Sequence, residues 1–232
     1  MDRFYGAVAE FGADPIVRIT ADCPLIDPQV IDKLVNAYLE GECDYVTNTL
    51  RYTYPDGMDV EVFSFGILET AWKEATLPCD REHVTPYMRS SGRYRLLNVE
   101  NERELPQQYR WTVDEEADLE FARAVYSGLW SNEDCFGMDE ILLYLDRNPD
   151  IAETNRIVIR NAGYYKSLAK EPPMAPGRPT LEAFERAGSK GGANYPLRHA
   201  NLQQRAYPVR ARSGASVLGA WPGQSCVGCR RQ

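Results

Sequence analysis

The chain has 232 residues, of which 44% are hydrophobic, and its formal net charge is −8 at pH 7. This length supports one hydrophobic core with a small appendage, and the acidic balance argues against nonspecific nucleic-acid binding, which needs a basic surface. No run approaches the roughly 18 apolar residues of a membrane span, and the polar, acidic N-terminus is unlike a secretory signal, so we predict a cytoplasmic protein without a membrane partner.

The first 50 residues predict a strand–helix–strand unit. A helix is predicted from "DRFYGAVAEFG" and ends at Gly12, and "PIVRITA" is typical of a buried strand. Asp27 and Pro28 supply an N-cap and a first-turn proline for a helix that ends near Gly41, and "CDYVTN" is the next strand. A unit of this kind predicts parallel strands joined by a right-handed crossover.

Strands and helices continue to alternate in the middle of the chain. Strands are predicted for "VEVFSF", "YRLLNVEN" and "QYRWTVD", and helices for "GILETAWKEA", "EADLEFARAVYSGLW" and "MDEILLYLDRNPDI". The segment "DREHVTPYMRSSG" predicts a short helix disturbed by Pro86. The alternation predicts an α/β sandwich with a mostly parallel sheet.

The last quarter of the chain has a different composition. Residues 1–170 carry 17 Lys+Arg against 31 Asp+Glu, a net charge of −14, whereas residues 171–232 carry 9 against 3, a net charge of +6. The second segment is rich in Pro, Gly, Ala and Arg and weak in periodicity, so we expect a folded domain over 1–170 and a disordered tail over 171–232. A tail translated out of frame would have the same composition.

Six cysteines, at positions 23, 43, 79, 135, 226 and 229, lie mostly far apart. A disulfide framework would be dense and occur in a short secreted chain, so we expect reduced thiols. The "CVGC" string at 226–229 fits half a zinc site or a redox pair, but no second ligand pair lies at metal spacing.

Two aspartates follow predicted strands and precede predicted helices. Asp22 follows "VRITA", and Asp114 stands in "RWTVDEEADLE". Ligands bind beyond the carboxyl ends of strands in open α/β sheets, so both acids can converge on one hard divalent cation such as Mg²⁺. In the alternative interpretation, Asp22 caps the turn before Pro24 and Asp114 is a helix N-cap.

Five segments in order resemble the SpsF-type spore coat polysaccharide proteins of the cytidylyltransferase family, which includes the enzymes that activate acylneuraminate and KDO sugars. These segments are "VRITADCPLIDPQVID", "CDYVTN", "YPDGMDVEVFS", "DREHVTPYM" and "RWTVDEEADLEFAR". The resemblance covers roughly residues 1–168 and implies a Rossmann-like nucleotide-diphospho-sugar transferase sandwich. It also implies that Asp22 and Asp114 are the catalytic, magnesium-binding aspartates.

The implied reaction transfers CMP from CTP to a sugar or sugar acid for cell-surface or spore-coat polysaccharide biosynthesis. A sugar hydroxyl would attack the α-phosphate and release pyrophosphate, while the cation held by the two acids spreads the developing charge. The partners are therefore CTP and the sugar, with Mg²⁺ as cofactor.

Further polar residues are candidates for contacts with the sugar. They are Asn48 after "CDYVTN", Asp56, Asp59 and Glu61 in "YPDGMDVE", and Arg81, Glu82 and His83 in "DREH". Such groups hydrogen-bond hydroxyls, and an arginine fork suits a sugar carboxylate. In the alternative, Pro-Asp-Gly is only a turn and the "DREH" charges are a solvated helix start.

The sequence departs from the family pattern at its beginning. No Gly-rich, basic loop precedes Asp22, so residues 1–170 are expected to be the C-terminal two-thirds of a cytidylyltransferase-like domain without its first strands. Loss of that loop would weaken triphosphate binding, and the exposed edge of "IVRIT" would favour pairing with another chain, such as a homodimer. Two other functions remain open: an inert sugar-binding or assembly module, and a metal-dependent glycosyltransferase.

Overall fold

The computed structural model describes residues 1–105, 109–131 and 135–155, together with Ser167. In chain order, the elements of these ranges are α1 (Asp2–Phe11), β1 (Ile16–Arg18), α2 (Pro28–Leu39), β2 (Tyr45–Thr47), β3 (Glu61–Phe63), α3 (Phe65–Glu74), α4 (Pro78–His83), α5 (Pro86–Ser90), β4 (Leu96–Asn98), α6 (Glu116–Leu129), α7 (Met138–Arg147) and α8 (Pro149–Ala152). The predicted tail over 171–232 and its "CVGC" string lie outside the described residues. Within the described ranges, every helix is too short or too polar to cross a bilayer.

Local signals set the helix ends as predicted. Gly12 ends α1 in the left-handed conformation, with φ 63°. Asp27 caps α2, since its carboxylate accepts a hydrogen bond of 2.7 Å from the Gln29 amide, and Pro28 occupies the first turn. The segment around Pro86 forms two short helices, α4 and α5, because a proline starts the second one.

The sheet is mixed, and the prediction of a mostly parallel sheet is wrong for the described strands. Their order is β1-β3-β2-β4, and only β2 and β4 pair in parallel. Strands β1 and β2 run in the same direction, as a crossover through α2 requires, but β3 lies between them and pairs antiparallel with both. The turn-rich loop over 51–60 reverses the chain and inserts β3 there.

The predicted strand "QYRWTVD" is also wrong where the structure describes it, from residue 109 onward. Its only described strand-like pairing is a single bridge between Asp56 and Arg110. The Trp111 amide donates to the Asp56 carbonyl over 2.6 Å, and the Val113 amide donates to the Asp22 carbonyl over 2.8 Å. The backbone of this segment therefore binds two loops instead of a strand ladder.

Helices cover both faces of the sheet, which confirms the α/β sandwich. Along β2, Tyr45 packs into a core with α1, α3 and α5, whereas Val46 packs into a core with α2, α6 and α7. Strand β3 alternates in the same way through Phe63 and Val62. The two cores fix the sheet rigidly, so the loops at its edge have a stable base.

Candidate active site

A cleft of about 330 Å³ lies at the sheet edge where the carboxyl ends of β1 and β2 meet the start of β3. In the sheet register, Arg18 of β1 and Thr47 of β2 both lie opposite Glu61 of β3, which brings these strand ends together. The lining residues are Arg18, Thr20, Asp22, Cys23, Thr49, Tyr52, Asp56, Gly57, Asp59, Glu61, His83, Thr85, Arg89, Arg110, Thr112 and Asp114. The position agrees with the general location of ligand sites in open α/β sheets.

Asp22 and Asp114 both line this cleft, although 92 positions separate them in the chain. The backbones beside them are joined, because the Asp22 carbonyl accepts hydrogen bonds from the Val113 amide at 2.8 Å and from Thr112 Oγ1 at 3.1 Å. Asp114 is not a helix N-cap, since Glu115 holds that position in α6. Its side chain is 56% exposed toward the cleft.

The carboxylate of Asp22 has a neighbour that the sequence reading did not consider. The thiol of Cys23 donates to Asp22 Oδ1 at 3.7 Å and also contacts Thr20 Oγ1 at 3.2 Å. Burial raises the pKa of Cys23 to about 12, so this thiol keeps its proton at neutral pH. It acts as a donor to Asp22, not as a thiolate.

The described ranges contain no cluster of three or more His, Cys, Asp or Glu side chains arranged to hold a metal ion. A site made only of protein ligands, as structural zinc requires, is therefore not present in them. The pair Asp22 and Asp114 fits a different donor set, in which a hard cation takes one or two carboxylates and completes its shell with water and substrate oxygens.

The Pro-Asp-Gly string is more than a surface turn. Asp56 is 7% exposed, and its carboxylate accepts a hydrogen bond of 2.9 Å from Arg110 Nη1. Gly57 has φ 98°, and a Cβ there would lie 2.6 Å from the carbonyl carbon of Trp111. Only glycine allows the loop to pack this closely, so the string holds Asp56 and Asp59 at the cleft.

Glu61 lies at the floor of the cleft in a buried network. Its carboxylate accepts hydrogen bonds from Arg18, from the Tyr45 hydroxyl and, at 2.7 Å, from Thr85 Oγ1. Burial raises the pKa of Glu61, but Arg18 and Arg89, together with these hydrogen bonds, outweigh burial and hold the pKa below its ordinary value. Glu61 is therefore ionised and organises the arginines around it.

His83 stands beside a strained turn. The Thr85 amide donates to the His83 carbonyl over 2.9 Å, and Val84 between them has φ 73° and ψ −55°. These values are those of the rare γ-turn, which is costly for a β-branched residue. Burial lowers the pKa of His83, so its imidazole is mostly neutral at pH 7.

Three predicted sugar-contact residues lie outside the cleft lining. Asn48 is 1% exposed and links the end of β2 to the segment just before β3. Its side chain donates to the Met58 carbonyl and accepts from the Val60 amide. Arg81 donates to the Trp72 and Ala75 carbonyls at the end of α3 and pairs with Asp2. Glu82 is exposed and accepts a hydrogen bond from Ser167.

Sequence reasoning missed three arginines of the cleft, namely Arg18, Arg89 and Arg110. Arg110 is 7% exposed and pairs with Asp56, Asp114 and Asp118. Burial lowers its pKa, but hydrogen bonds to Asp118 and Asp114 raise the pKa above the ordinary value. The sequence signal that could have identified Arg110 is the pair of acids four and eight residues after it, Asp114 and Asp118.

Comparisons with known proteins point to one family. The sequence model of the family described as "Cytidylyltransferase" matches residues 1–158. A cytidylyltransferase structure from Leptospira borgpetersenii superposes with a TM-score of 0.62 at 31% sequence identity, covering 68% of this chain and 66% of that one.

Two curated proteins are similar in sequence. An uncharacterized protein of Methanocaldococcus jannaschii is 36% identical over 159 residues, covering 67% of this chain and 63% of the relative. The spore coat polysaccharide biosynthesis protein SpsF of Bacillus subtilis is 32% identical over 155 residues, covering 66% of this chain and 63% of that protein. The chain thus spans less than two thirds of the length of these curated relatives.

Proposed function

Because the chain belongs to the cytidylyltransferase family, we propose that it is a nucleotidyltransferase that transfers CMP from CTP to a sugar or sugar acid. The observation that carries the proposal is the shared cleft of Asp22 and Asp114, whose neighbouring backbones are hydrogen-bonded to each other. Similarity to SpsF supports a role in polysaccharide biosynthesis, with a nucleotide-sugar as product.

In the proposed reaction, a sugar hydroxyl attacks the α-phosphorus of CTP. A new P–O bond forms, the bond to the β-phosphate breaks, pyrophosphate leaves, and the hydroxyl proton passes to solvent. A bound Mg²⁺ would neutralise charge on the phosphate oxygens. Asp22 and Asp114 would hold it through their carboxylate oxygens.

Four aspartates line the cleft: Asp56 and Asp114 pair with Arg110, and Asp22, Asp56 and Asp59 lie near Cys23. We call these residues, with Arg110, the acidic half of the cleft. Its acids outnumber its single guanidinium, so this half attracts a cation before it attracts a phosphate. CTP bound together with Mg²⁺ suits such a surface, because the cation lies between the aspartates and the phosphates. This supports placing the triphosphate beside Asp22 and Asp114.

The arginine half of the cleft contains Arg18, Arg89 and His83 above the carboxylate of Glu61. Two guanidinium groups against one carboxylate leave this half positive, which suits the carboxylate of a sugar acid. The neutral imidazole of His83 suits a hydrogen bond to a sugar hydroxyl. We therefore assign the acceptor carboxylate to Arg18 and Arg89 in place of Arg81.

The test is pyrophosphate release from CTP, Mg²⁺ and a panel of acceptors that includes N-acetylneuraminate and KDO. At CTP concentrations high enough to offset weak triphosphate binding, we expect release with the unmodified chain and a loss of at least about 100-fold in Asp22→Asn and Asp114→Asn. Asp139→Asn is the matched control, because Asp139 is exposed, pairs with Arg103 and lies outside the cleft lining.

The outcomes separate the proposed enzyme from its alternatives. Release that needs a nucleotide-sugar donor would identify a glycosyltransferase. Sugar binding by calorimetry, without CTP binding and without release, would identify an inert sugar-binding module. Equal rates for the two site variants and Asp139→Asn would overturn the assignment of Asp22 and Asp114.

A further inference from the structure

Arg110 is a buried guanidinium held by three acids from two parts of the chain. Nη1 donates to Asp56 at 2.9 Å, Nε to Asp118 at 3.0 Å, and Nη2 to Asp114 at 2.6 Å. A planar fork is the one side chain that can reach three carboxylates in fixed directions, which a lysine cannot do.

Two of these contacts are explained by the fold. Asp118 has no exposed surface and Asp56 is 7% exposed, so both charges need a buried partner. Asp118 also accepts from the Asp114 and Glu115 amides and from Asn155, which ties the start of α6 to residue 155. These contacts account for the burial of Arg110.

The third contact has no such explanation. The side chain of Asp114 is 56% exposed, so water would solvate its charge without any help from Arg110. Arg110 Nη2 also donates to Asp118 Oδ2 at 3.1 Å, so this nitrogen keeps a buried acceptor without Asp114. What the contact does is restrict the rotation of Asp114, because Nη2 holds Oδ2 while the side chain faces the cleft that Asp22 also lines.

We propose that Arg110 is a positioning residue, which holds Asp114 by one carboxylate oxygen and thereby aims the other at a cation shared with Asp22. This inference rests on the proposed function. The single positive charge of Arg110 does not prevent cation binding, because four aspartates, at positions 22, 56, 59 and 114, line the same cleft. Partners that orient metal ligands in this way typically change metal affinity 10- to 100-fold.

The experiment measures Mn²⁺ binding by electron paramagnetic resonance, with and without CTP, on the intact chain and on Arg110→Lys. Arg110→Lys should lower the melting temperature, because lysine cannot pair with both Asp56 and Asp118. At a temperature where its near-ultraviolet circular dichroism still matches that of the unmodified chain, we expect it to bind Mn²⁺ about tenfold more weakly. The matched control is Arg95→Lys, because Arg95 pairs with Asp44 on the surface away from the cleft. Arg95→Lys should bind Mn²⁺ as the unmodified chain does.

A double-mutant cycle separates positioning from general damage. In an Asp114→Asn background, Arg110→Lys should cause no further loss of Mn²⁺ affinity, because the side chain it orients is already altered. Equal losses in both backgrounds, or no loss in Arg110→Lys, would overturn the inference while leaving the metal site intact. Absence of Mn²⁺ binding by the unmodified chain would overturn the proposed metal site, and this inference with it.

Discussion

The amide of Val113 donates to the carbonyl of Asp22 over 2.8 Å, although the two residues are far apart in the chain. Thr112 reinforces this link through its hydroxyl, which donates to the same carbonyl at 3.1 Å. Asp114 is the next residue after Val113, so its backbone position is fixed relative to Asp22 by main-chain geometry. Any ligand held by both carboxylates therefore meets a preformed pair of attachment points.

Gly57→Ala should destabilise the protein by at least about 2 kcal/mol. Alanine is strained at φ 98°, and its Cβ would lie 2.7 Å from the Thr112 amide nitrogen. Urea unfolding followed by circular dichroism measures the effect. The control is Gly6→Ala in α1, where nothing lies within 4 Å of the added Cβ and the helix should gain up to about 1 kcal/mol. Similar stability changes in the two variants would contradict the close packing of the loop.

Arg89→Gln and Arg81→Gln should differ in their effect on the KM for an acidic sugar. Arg89 lines the cleft, so its loss should raise that KM roughly 10- to 100-fold, and it should also lower the melting temperature, because Arg89 favours the charged form of the buried Glu61. Arg81 binds the Trp72 and Ala75 carbonyls, so its loss should cost about 1–2 kcal/mol of stability and leave that KM unchanged. Steady-state kinetics and thermal melts measure both, and the reverse pattern would restore Arg81 as the sugar contact.

Glu61 should make the protein sensitive to acid. Its folded-state pKa lies below the ordinary value of 4.5, so the unfolded chain binds the proton more tightly than the folded one. The stabilisation is complete above about pH 4.5 and is lost as the pH falls through the folded pKa. As the pH is lowered from about 6 to about 3, the urea midpoint of Glu61→Gln should therefore fall less steeply than that of the unmodified chain. An unchanged slope would show that the Arg18 pair does not favour the charged form.

The sequence predicted what depends on neighbours along the chain. Asp27, Pro28 and Gly12 marked helix ends because capping and backbone preferences are local. The order of the strands was not predictable from local sequence. An apolar run such as "VEVF" indicates a buried strand but does not indicate which strands lie beside it. The insertion of β3 between β1 and β2 therefore appeared only in the structure.

In the candidate site, too, the sequence predicted only the residues that their neighbours along the chain mark. The positions of Asp22 and Asp114 after apolar runs fit either caps or metal ligands, the family resemblance implied metal binding, and both residues line the cleft. Arg110 was overlooked because a charged residue in an alternating segment is normally assigned to the surface. Its burial depends on Asp118 and also on Asp56, which reaches it from a distant loop, and sequence spacing does not show the contact with Asp56.

Val84 is expected to reverse the usual ranking of alanine and glycine. Val84 is 6% exposed, so both Val84→Ala and Val84→Gly lose a buried side chain, and that loss largely cancels when the two variants are compared. What remains is the backbone: φ 73° costs alanine about 1–3 kcal/mol and costs glycine almost nothing. Val84→Gly should therefore be at least as stable as Val84→Ala in urea unfolding.

The control for Val84 is a buried valine in a regular helix. Val125 in α6 has no exposed surface, and there glycine should be less stable than alanine by about 1 kcal/mol. If Val84 showed the same ranking as Val125, the γ-turn would not be strained. If the reversal is found, the strain lies between His83 and Thr85, which both line the cleft. The difference in unfolding free energy between Val84→Gly and Val84→Ala then measures the stability lost in holding these two residues there.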